Sequence, residues 1–242
     1  MDFSNGATAL VTGAAGGIGA AIVSALQNSG VTVAGADLQS SKADVAMCGD
    51  LSDPDFCDTL PQRAADRLGR LDILVNNAGI ITRGKITQAS DADFSRSMAI
   101  NVEAPFRLCR AAIPIMERQG GGAIVNVASC WGVHPGPGHP VYVMSKAALA
   151  ALTQCLGMDH ARQNIRVNAV CPNEVNTPMI RTGFAARGLD PDKGIDALNE
   201  TVPLGRIAEP EDIADVVVFL ASDSARYLCG ALIEANGGKP VQ

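Results

Sequence analysis

Short apolar runs alternate with longer amphipathic segments along most of this sequence. The short runs predict buried strands, and apolar residues at helical spacing in the longer segments predict helices. The predicted strands cover residues 7–11, 31–36, 43–48, 71–75, 123–128, 165–170 and 232–234, and the predicted helices cover Gly17–Asn28, 53–68, 90–119, 142–163 and 211–221. Strands that alternate with helices in this way are typical of βαβ units. We therefore expect an α/β fold, a doubly wound parallel sheet of about seven strands with helices on both faces.

Two segments depart from this regular alternation. Residues 172–208 are rich in glycine and proline, and we expect them to form an irregular substrate loop or lid. Only twelve residues separate Asp37 from Asp50, and they include a strand, so little room is left for a crossover helix. No linker rich in proline or serine divides the chain, and residues 1–242 are therefore expected to form a single domain.

Composition and charge exclude several classes of protein. The 242 residues include 19 basic and 25 acidic side chains, a net charge of −6, and no basic cluster, so nucleic acid and membranes are not expected partners. Residues 3–36 carry no charge, but glycines interrupt the stretch, which argues against a transmembrane helix. The seven cysteines show no CxxC spacing and only three histidines are present, which predicts no metal site and a reducing, cytoplasmic compartment.

A glycine-rich turn follows the first predicted strand and opens the first predicted helix. It reads Thr12-Gly13-Ala14-Ala15-Gly16-Gly17-Ile18-Gly19. Gly13 permits a tight turn, and Gly17 and Gly19 let a phosphate approach the backbone and the helix approach the sheet. The N–H groups at a helix N-terminus favour an anion, and the lysine of a P-loop is missing. A dinucleotide pyrophosphate is the expected ligand, with glycines that serve packing alone as the alternative.

An acidic residue, Asp37, ends the second predicted strand. A carboxylate at this position accepts hydrogen bonds from the ribose hydroxyls of an adenosine and repels a 2′-phosphate. Leu38 follows it, where a cation would be needed to bind that phosphate. The sequence therefore predicts NAD in preference to NADP, although Lys42 lies close in the chain. A surface aspartate at a strand end is the alternative interpretation.

Ser129, Tyr142 and Lys146 form a candidate catalytic group. Tyr142 and Lys146 are four residues apart on one predicted helix and therefore share a face. The pKa of a free tyrosine is about 10, and a neighbouring ammonium and a helix N-terminus both favour the phenolate. A shift of about three pKa units requires roughly 4 kcal/mol. Ser129 follows the fifth strand, at the carboxyl edge where ligands bind in such sheets.

Taken together, these motifs resemble those of the short-chain dehydrogenase/reductase family over nearly the whole chain. Residues 12–19 resemble its TGxxxGxG motif, and residues 76–79 read NNAG at the end of the fourth strand. Asp50-Leu51 resembles its adenine-contacting pair, and Asn101 resembles the asparagine that bends the fourth helix and holds a water. Ser129, Tyr142 and Lys146 match its catalytic trio.

The resemblance implies a Rossmann-like fold and a set of cofactor-binding residues. These are Gly13, Gly17, Ile18, Gly19, Asp37, Leu38, Asp50, Leu51, Asn77, Ala78, Gly79, Tyr142, Lys146, Pro172, Val175 and Thr177. It also implies a homotetramer, assembled through the helices predicted around residues 90–119 and 142–163.

The resemblance further implies a mechanism in which Tyr142 takes the proton of a substrate hydroxyl while hydride passes to the nicotinamide. Ser129 would hydrogen-bond the substrate oxygen, and Lys146 would bind the nicotinamide ribose and depress the pKa of Tyr142. Asn101 would complete a proton relay through a water. In the reverse direction Tyr142 is the general acid of a carbonyl reduction.

One motif departs from the family pattern. The family has PGxxxT after the sixth strand, whereas this chain reads Pro172-Asn173-Glu174-Val175-Asn176-Thr177. Asn173 replaces the glycine and tolerates a positive φ. Glu174 brings a carboxylate near the expected substrate mouth, where we expect it to recognise a hydroxylated substrate, directly or by orienting Arg181 or His134. A solvated loop charge is the alternative.

Further substrate contacts are predicted from the segments around the catalytic group. Trp131 and His134 lie between Ser129 and Tyr142, as does His139, and packing is an equal alternative for the tryptophan. The predicted lid, residues 179–199, carries Arg181, Arg187 and Lys193, which suit an anionic substrate or a solvated face.

Three functions compete at this stage. The first is an NAD-dependent oxidoreductase that acts on a secondary alcohol or ketone, with a sugar, sugar acid or hydroxy acid as substrate. The second is a 3-oxoacyl thioester reductase of the same fold, against which Asp37 argues because such enzymes usually prefer NADPH. The third is a nucleotide-sensing protein without catalysis, against which the intact group of Ser129, Tyr142 and Lys146 argues.

Overall fold

Strands alternate with helices along most of the computed structural model, which describes residues 3–239. The strands of this part of the chain are β1 (Thr8–Thr12), β2 (Thr32–Asp37), β3 (Val45–Cys48), β4 (Ile73–Asn76), β5 (Gly122–Val127), β6 (Ile165–Pro172) and β7 (Leu232–Ala235). They form one sheet in the order β3-β2-β1-β4-β5-β6-β7, and every neighbouring pair is parallel. The predicted Rossmann-like sheet of about seven strands is confirmed.

Helices cover both faces of the sheet. Within residues 3–239 they are α1 (Gly17–Asn28), α2 (Pro54–Leu68), α3 (Asp91–Met98), α4 (Ala104–Arg118), α5 (Cys130–Val133), α6 (Pro140–His160), α7 (Pro178–Ala185), α8 (Pro191–Asn199) and α9 (Pro210–Ala221). Helices α1 and α9 pack on one face, and α2, α4 and α6 pack on the other. Alternation within β1 shows the two layers, since Val11 faces α1 and Leu10 faces α2. A parallel strand covered on both faces is apolar along its length.

Helix α2 illustrates how local sequence sets the boundaries of an element. The Asp53 side chain accepts a hydrogen bond from the Asp55 N–H, and Pro54 occupies the first helical position. Gly69 ends the helix with φ of 85°, a left-handed conformation that glycine adopts without strain. The predicted helix over residues 53–68 is therefore confirmed to within one residue.

The expectation that residues 172–208 are irregular is wrong in part, because they contain α7 and α8. The Asp190 side chain caps α8 by accepting hydrogen bonds from the N–H groups of Asp192 and Lys193, and Pro191 follows the cap. This is the same Asp-Pro signal that opens α2. The two helices bury a small apolar cluster of their own, which comprises Phe184, Ile195, Val202 and Ile207.

The helical stretch predicted over residues 90–119 is not continuous. A π-helical turn, Ala99–Glu103, separates α3 from α4, and Asn101 lies at its centre. Such turns insert extra backbone into a helix and are frequent at functional sites. The structure thus has an irregularity at the position where the family resemblance implies a bend.

The strand order reverses beside β1, because β2 and β4 lie on its two sides. Ligands of doubly wound sheets bind at such a switch point, outside the carboxyl ends of the strands. The connection between β2 and β3, residues 38–44, contains no helix, as its length predicts. This leaves the carboxyl end of β2 open.

One helical stretch, Pro140–Gln163, is long and apolar enough to cross a membrane by length and composition. Its most apolar window has a mean hydropathy of 1.3, and 44% of that window is buried inside the protein. Its first 21 residues are α6, which packs against β5 and β6 and contains both Tyr142 and Lys146. The core helix of a water-soluble fold meets the same criterion.

Candidate active site

The glycine-rich turn connects β1 to α1 and depends on the absence of side chains. A Cβ added to Gly19 would lie 1.9 Å from the Gly13 carbonyl oxygen, so no larger residue fits there. Gly13 and Gly17 have positive φ values, of 66° and 53°. Gly16 precedes α1 and provides no side-chain cap, and the first turn of α1 carries no acidic residue. The helix therefore directs free N–H groups towards the turn, as a pyrophosphate requires.

Asn77, the residue after β4, holds this turn in place by hydrogen bonds. Its amide nitrogen donates to the carbonyl oxygens of Thr12 and Gly13, at 2.9 and 3.2 Å. The Thr12 hydroxyl accepts from the backbone N–H groups of Asn77 and Ala78, both at 3.1 Å. Asn77 was predicted as a cofactor residue, and in the structure its side chain positions the loop that would carry the phosphates.

A crevice of about 630 Å³ opens at the switch point beside this turn. Seven of the predicted cofactor residues line it, namely Gly13, Asp37, Leu38, Asp50, Leu51, Ala78 and Gly79. One Asp37 oxygen accepts a hydrogen bond from the Ala15 N–H at 3.0 Å, which ties the end of β2 to the glycine turn. Leu38 is 66% exposed beside it. The crevice has the residues and the exposed backbone N–H groups that a nicotinamide dinucleotide needs, and such a cofactor fits the site.

The cation of this crevice is Arg96, which the sequence interpretation did not include. The Ser52 N–H holds the pKa of the Asp50 carboxyl below its usual value, and the charge of Arg96 contributes in the same direction. Lys42 is exposed and does not line the crevice, although its position in the sequence left that possibility open.

Ser129, Tyr142 and Lys146 come together beyond the carboxyl end of β5. Ser129 caps the short helix α5, and its hydroxyl accepts a hydrogen bond from the Trp131 N–H. Lys146 is 4% exposed, and its ammonium donates to the Val127 carbonyl oxygen at 2.8 Å. The ammonium lies 6.0 Å from the centre of the Tyr142 ring. It also approaches the crevice, because a Cβ added to Gly79 would lie 3.2 Å from Lys146 Nζ.

The electrostatics of the protein alone differ from the prediction for Tyr142. Burial raises the pKa of the Tyr142 phenol above its usual value, while the Ser129 hydroxyl and the Arg83 guanidinium act in the opposite direction. Burial also lowers the pKa of Lys146, from 10.5 to about 8. Both shifts have the same physical cause, since desolvation disfavours the charged form of each group. The protein's own groups therefore do not produce the depression of the Tyr142 pKa that the sequence predicts.

Asn101 connects the NNAG segment to the helix of Tyr142. Its side chain is fully buried, and it exchanges two hydrogen bonds with the backbone of Ile80, both at 2.9 Å. Its amide also donates to the Ser145 hydroxyl, which in turn donates to the Tyr142 carbonyl oxygen at 2.7 Å. Both amide hydrogens are used within the protein. A water held by Asn101 would therefore have to donate a hydrogen bond to its side-chain or backbone carbonyl oxygen.

A buried polar chain beneath the site was missed at the sequence level. The Asn76 amide donates to Asn126 at 2.8 Å, and the Asn126 amide donates to the Thr153 hydroxyl at 2.8 Å. These contacts join β4, β5 and α6, so they fix the helix of Tyr142 relative to the sheet. Polar residues inside otherwise apolar strands were the available signal, because a buried polar group requires a partner.

The segment after β6 lies against the glycine turn. Pro172 is the last residue of β6, and Val175 is buried and pairs with Ala208 in an isolated bridge. Thr177 precedes α7, and a Cβ added to Gly17 would lie 3.5 Å from its methyl group. Ile18 packs partly against the core as the second residue of α1. The predicted nicotinamide contacts therefore lie at the same edge of the sheet as the glycine turn.

Two aromatic side chains, Trp131 and His139, pack in sequence from the Tyr142 ring outwards. Trp131 lies 6.4 Å from the Tyr142 ring, edge to face, and 4.7 Å from the His139 ring. His134 contacts Glu234 of β7 instead, at 2.9 Å. The structure thus brings Trp131 next to the Tyr142 ring, and His139 packs against Trp131.

Glu174 pairs with a residue that the sequence interpretation did not consider. Lys239 donates to one Glu174 oxygen at 2.7 Å, and the other Glu174 oxygen is buried without a partner in the described part of the chain. Arg181 contacts Asn176 and Asp192. The expectation that Glu174 orients Arg181 or His134 is therefore wrong, because those residues have other partners.

The sequence is similar to those of known oxidoreductases. A family model described as enoyl-(acyl carrier protein) reductase, from the short-chain dehydrogenase/reductase group, matches residues 13–239. The chain is 36% identical to an uncharacterized oxidoreductase of Thermotoga maritima, with 98% of each chain covered. It is also 36% identical to a 4-formylbenzenesulfonate dehydrogenase of Comamonas testosteroni, over 98% of this chain and 99% of the other. A 3-oxoacyl-[acyl-carrier-protein] reductase of T. maritima is 32% identical, over 96% of this chain and 97% of its own length.

Solved structures agree with the sequence relatives. An aldohexose dehydrogenase of Thermoplasma acidophilum superimposes with a TM-score of 0.92 at 31% identity, over 100% of this chain and 97% of the other. A 3-ketoacyl-(acyl-carrier-protein) reductase of Brucella melitensis in complex with NADH superimposes with a TM-score of 0.89 at 26% identity, over 98% of this chain and 99% of the other.

Proposed function

The chain belongs to the short-chain dehydrogenase/reductase family of oxidoreductases, and we propose that it is an NAD-dependent enzyme that interconverts a secondary alcohol and a ketone. The observation that carries this proposal is the convergence of Ser129, Tyr142 and Lys146 beside the crevice at the switch point. Proton transfer at an oxygen and hydride transfer at the adjacent carbon need these two features next to each other.

In this proposal Tyr142 holds or removes the proton of the substrate oxygen, and Ser129 donates a hydrogen bond to that oxygen. Lys146 contacts the cofactor ribose and keeps a positive charge near the phenol. When bound, the nicotinamide ring of NAD accepts or returns the hydride, and its positive charge in the oxidised form favours the phenolate. Asn101 acts through Ser145 on the start of α6, so we assign it a positioning role.

The preference for NAD rests on Asp37. Its carboxylate lines the crevice at the end of β2, and the adjacent Leu38 provides no positive charge for a 2′-phosphate. The complex of the B. melitensis relative with NADH supports the same class of cofactor. Residues of the glycine turn and the segment 172–177 would hold the pyrophosphate and the carboxamide.

We propose a hydroxylated or acidic small molecule as the substrate, with Trp131 as one wall of its pocket and Glu174 near its mouth. The T. acidophilum structure is that of an aldohexose dehydrogenase, and the C. testosteroni relative is named for a sulfonate, so both kinds of compound occur among related proteins. A 3-oxoacyl thioester reductase remains the second candidate, because two relatives carry that name. Asp37 favours the first candidate.

We also propose a homotetramer in the cytoplasm. The faces of α4 and α6 that the resemblance assigns to assembly expose Phe106, Met144 and Met158, at 45%, 45% and 73%. Exposed apolar side chains of this size favour burial in an interface. All seven cysteines are unpaired, as expected in a reducing compartment. Light scattering coupled to gel filtration tests the oligomer directly.

The function is tested by the absorbance of reduced cofactor in the presence of NAD or NADP and a panel of secondary alcohols. We expect reduction of NAD with at least one hydroxylated or acidic alcohol, and a lower kcat/KM with NADP. Activity confined to NADPH and 3-oxoacyl thioesters would favour the second candidate. Tight NAD binding with no turnover of any alcohol or ketone would favour a sensor.

A further inference from the structure

Two exposed arginines, one after the NNAG segment and one on the lid, have no acidic partner within residues 3–239. Arg83 follows the NNAG segment, and Arg187 follows α7. Within residues 3–239, neither guanidinium lies within 4.0 Å of a carboxylate, whereas Arg181, on the same lid, pairs with Asp192 at 2.8 Å. Arg83 was not identified from the sequence, and Arg187 was predicted only as one of three lid cations.

Both guanidiniums lie against the same residue of the lid. Arg83 donates to the Met179 carbonyl oxygen at 3.2 Å, and Arg187 donates to the Gly183 carbonyl oxygen at 2.9 Å. Gly183 is buried, and a Cβ added there would lie 2.4 Å from a terminal nitrogen of Arg83. The absence of a side chain at Gly183 thus leaves room for the first guanidinium next to the second.

Arg83 lies towards the reacting end of the site, and Arg187 lies next to it across Gly183. The N–H of Gly84 donates to the Gly138 carbonyl oxygen at 2.8 Å, which connects the loop of Arg83 to the turn that precedes α6. The charge of Arg83 is close enough to lower the pKa of Tyr142. Partial burial lowers the pKa of Arg83 itself, and the like charge of Arg187 adds to that effect.

Both arginines are exposed, so a ligand can reach the N–H donors that the lid carbonyls leave free, and the two neighbouring like charges repel each other. An anion between them would remove the repulsion and accept paired hydrogen bonds, for which the planar guanidinium is well suited. No carboxylate of the described chain takes this place.

We propose that Arg83 and Arg187 bind an anionic group of the substrate, a carboxylate, sulfonate or phosphate, next to Tyr142. The proposal rests on the proposed function, because it takes Tyr142 as the reacting end of the pocket. It narrows the substrate class from hydroxylated or acidic compounds to compounds that carry an anion beside the alcohol or ketone.

Pairs of ketones in which one member carries a carboxylate and the other a hydrogen or methyl group in its place test the proposal. One pair is para-acetylbenzoate and acetophenone, and the other is levulinate and methyl propyl ketone. Binding of the aliphatic pair to the NADH complex is followed by protein fluorescence, because Trp131 is the only tryptophan of the chain and lies beside Tyr142. Turnover of both pairs is followed by the oxidation of NADH.

We expect the wild-type protein to bind the anionic member of the aliphatic pair more tightly. The variants Arg83→Gln and Arg187→Gln should each weaken that binding by about ten- to hundredfold, as expected for loss of hydrogen bonds to a charged group. The neutral ketones and NADH should be affected by less than about twofold, since a change outside their contacts has little effect. Arg226→Gln is the control, because it removes the same charge from an exposed arginine that follows the short 3₁₀ turn Asp223–Ala225, near the start of β6.

Equal binding of charged and neutral ketones would overturn the proposal, as would an anion preference that survives both substitutions. Weaker NADH binding in the variants would also overturn it, because the arginines would then serve the cofactor phosphates. Turnover is judged separately. If the anion is preferred in the binding assay but no ketone is reduced, the anion site stands and the proposed oxidoreductase activity fails.

Discussion

Replacement of Lys146 by methionine should change the stability of the ligand-free protein in a way that depends on pH. Lys146 is buried, and its pKa is lowered from 10.5 to about 8. Below pH 8 the folded and unfolded states are both protonated, and the buried ammonium destabilises the fold. Between about pH 8 and 10.5 the folded state releases the proton while the unfolded chain keeps it, so the destabilisation is relieved as pH rises.

The size of the effect follows from the two pKa values. A difference of about 2.5 units corresponds to roughly 3 kcal/mol of destabilisation near pH 7. At pH 9.5 the residual destabilisation is roughly 1 kcal/mol, so about 2 kcal/mol should be recovered over this range. The variant also loses the hydrogen bond from Lys146 to Val127, which contributes about 1 kcal/mol. Lys146→Met should therefore be more stable than the wild type by about 2 kcal/mol near pH 7, and about equal to it at pH 9.5.

Urea unfolding at these two pH values measures the difference. Burial raises the pKa values of four thiols to between about 11 and 12, in Cys57, Cys109, Cys130 and Cys171. These thiols lower the stability of both proteins above pH 9, and the comparison between the two cancels their effect. Lys193→Met, on an exposed residue of α8, is the matched control and should show no such trend. A stability difference for Lys146→Met that does not change with pH would refute the reasoning.

Three further variants test the cofactor site and the loop after β6. Asp37→Ala combined with Leu38→Arg should narrow or reverse the preference for NAD in kcat/KM, because an ion pair replaces the repulsion of a 2′-phosphate; a wild-type preference for NADP would contradict this. Glu174→Gln should raise KM for the true substrate and leave NAD affinity unchanged, whereas values within about twofold in steady-state kinetics would indicate a purely structural pair with Lys239. Gly19→Ala should abolish NAD binding in a calorimetric titration, since its Cβ would collide with a backbone oxygen; unchanged affinity would show that the turn does not form the site.

The sequence was sufficient to predict those parts of the fold that have a local signal. Periodicity located the seven strands to within about two residues, because buried parallel strands are apolar along their whole length. The Asp53-Pro54 cap located the start of α2. The equivalent Asp190-Pro191 signal was present but was not used, so α8 was taken as loop. The glycine and proline content of the lid concealed it.

Contacts between distant segments could not be predicted in the same way. Arg83 and Arg187 are more than one hundred residues apart, and only the packing of the lid brings them together at Gly183. The pairing of Glu174 with Lys239 likewise depends on the path of the chain after β7. The raised pKa of Tyr142 follows from burial, which sequence spacing does not reveal.

The central claim is that Tyr142 exchanges a proton with the substrate oxygen in an NAD-dependent reaction, and the kcat of Tyr142→Phe tests it most directly. The variant keeps the ring that contacts Trp131 and loses only the hydroxyl, so NADH binding should match that of the wild type. We predict a loss in kcat of about 10²–10⁴-fold, the usual contribution of general acid–base catalysis. A variant that binds NADH normally and retains more than about a tenth of the wild-type kcat would contradict the account.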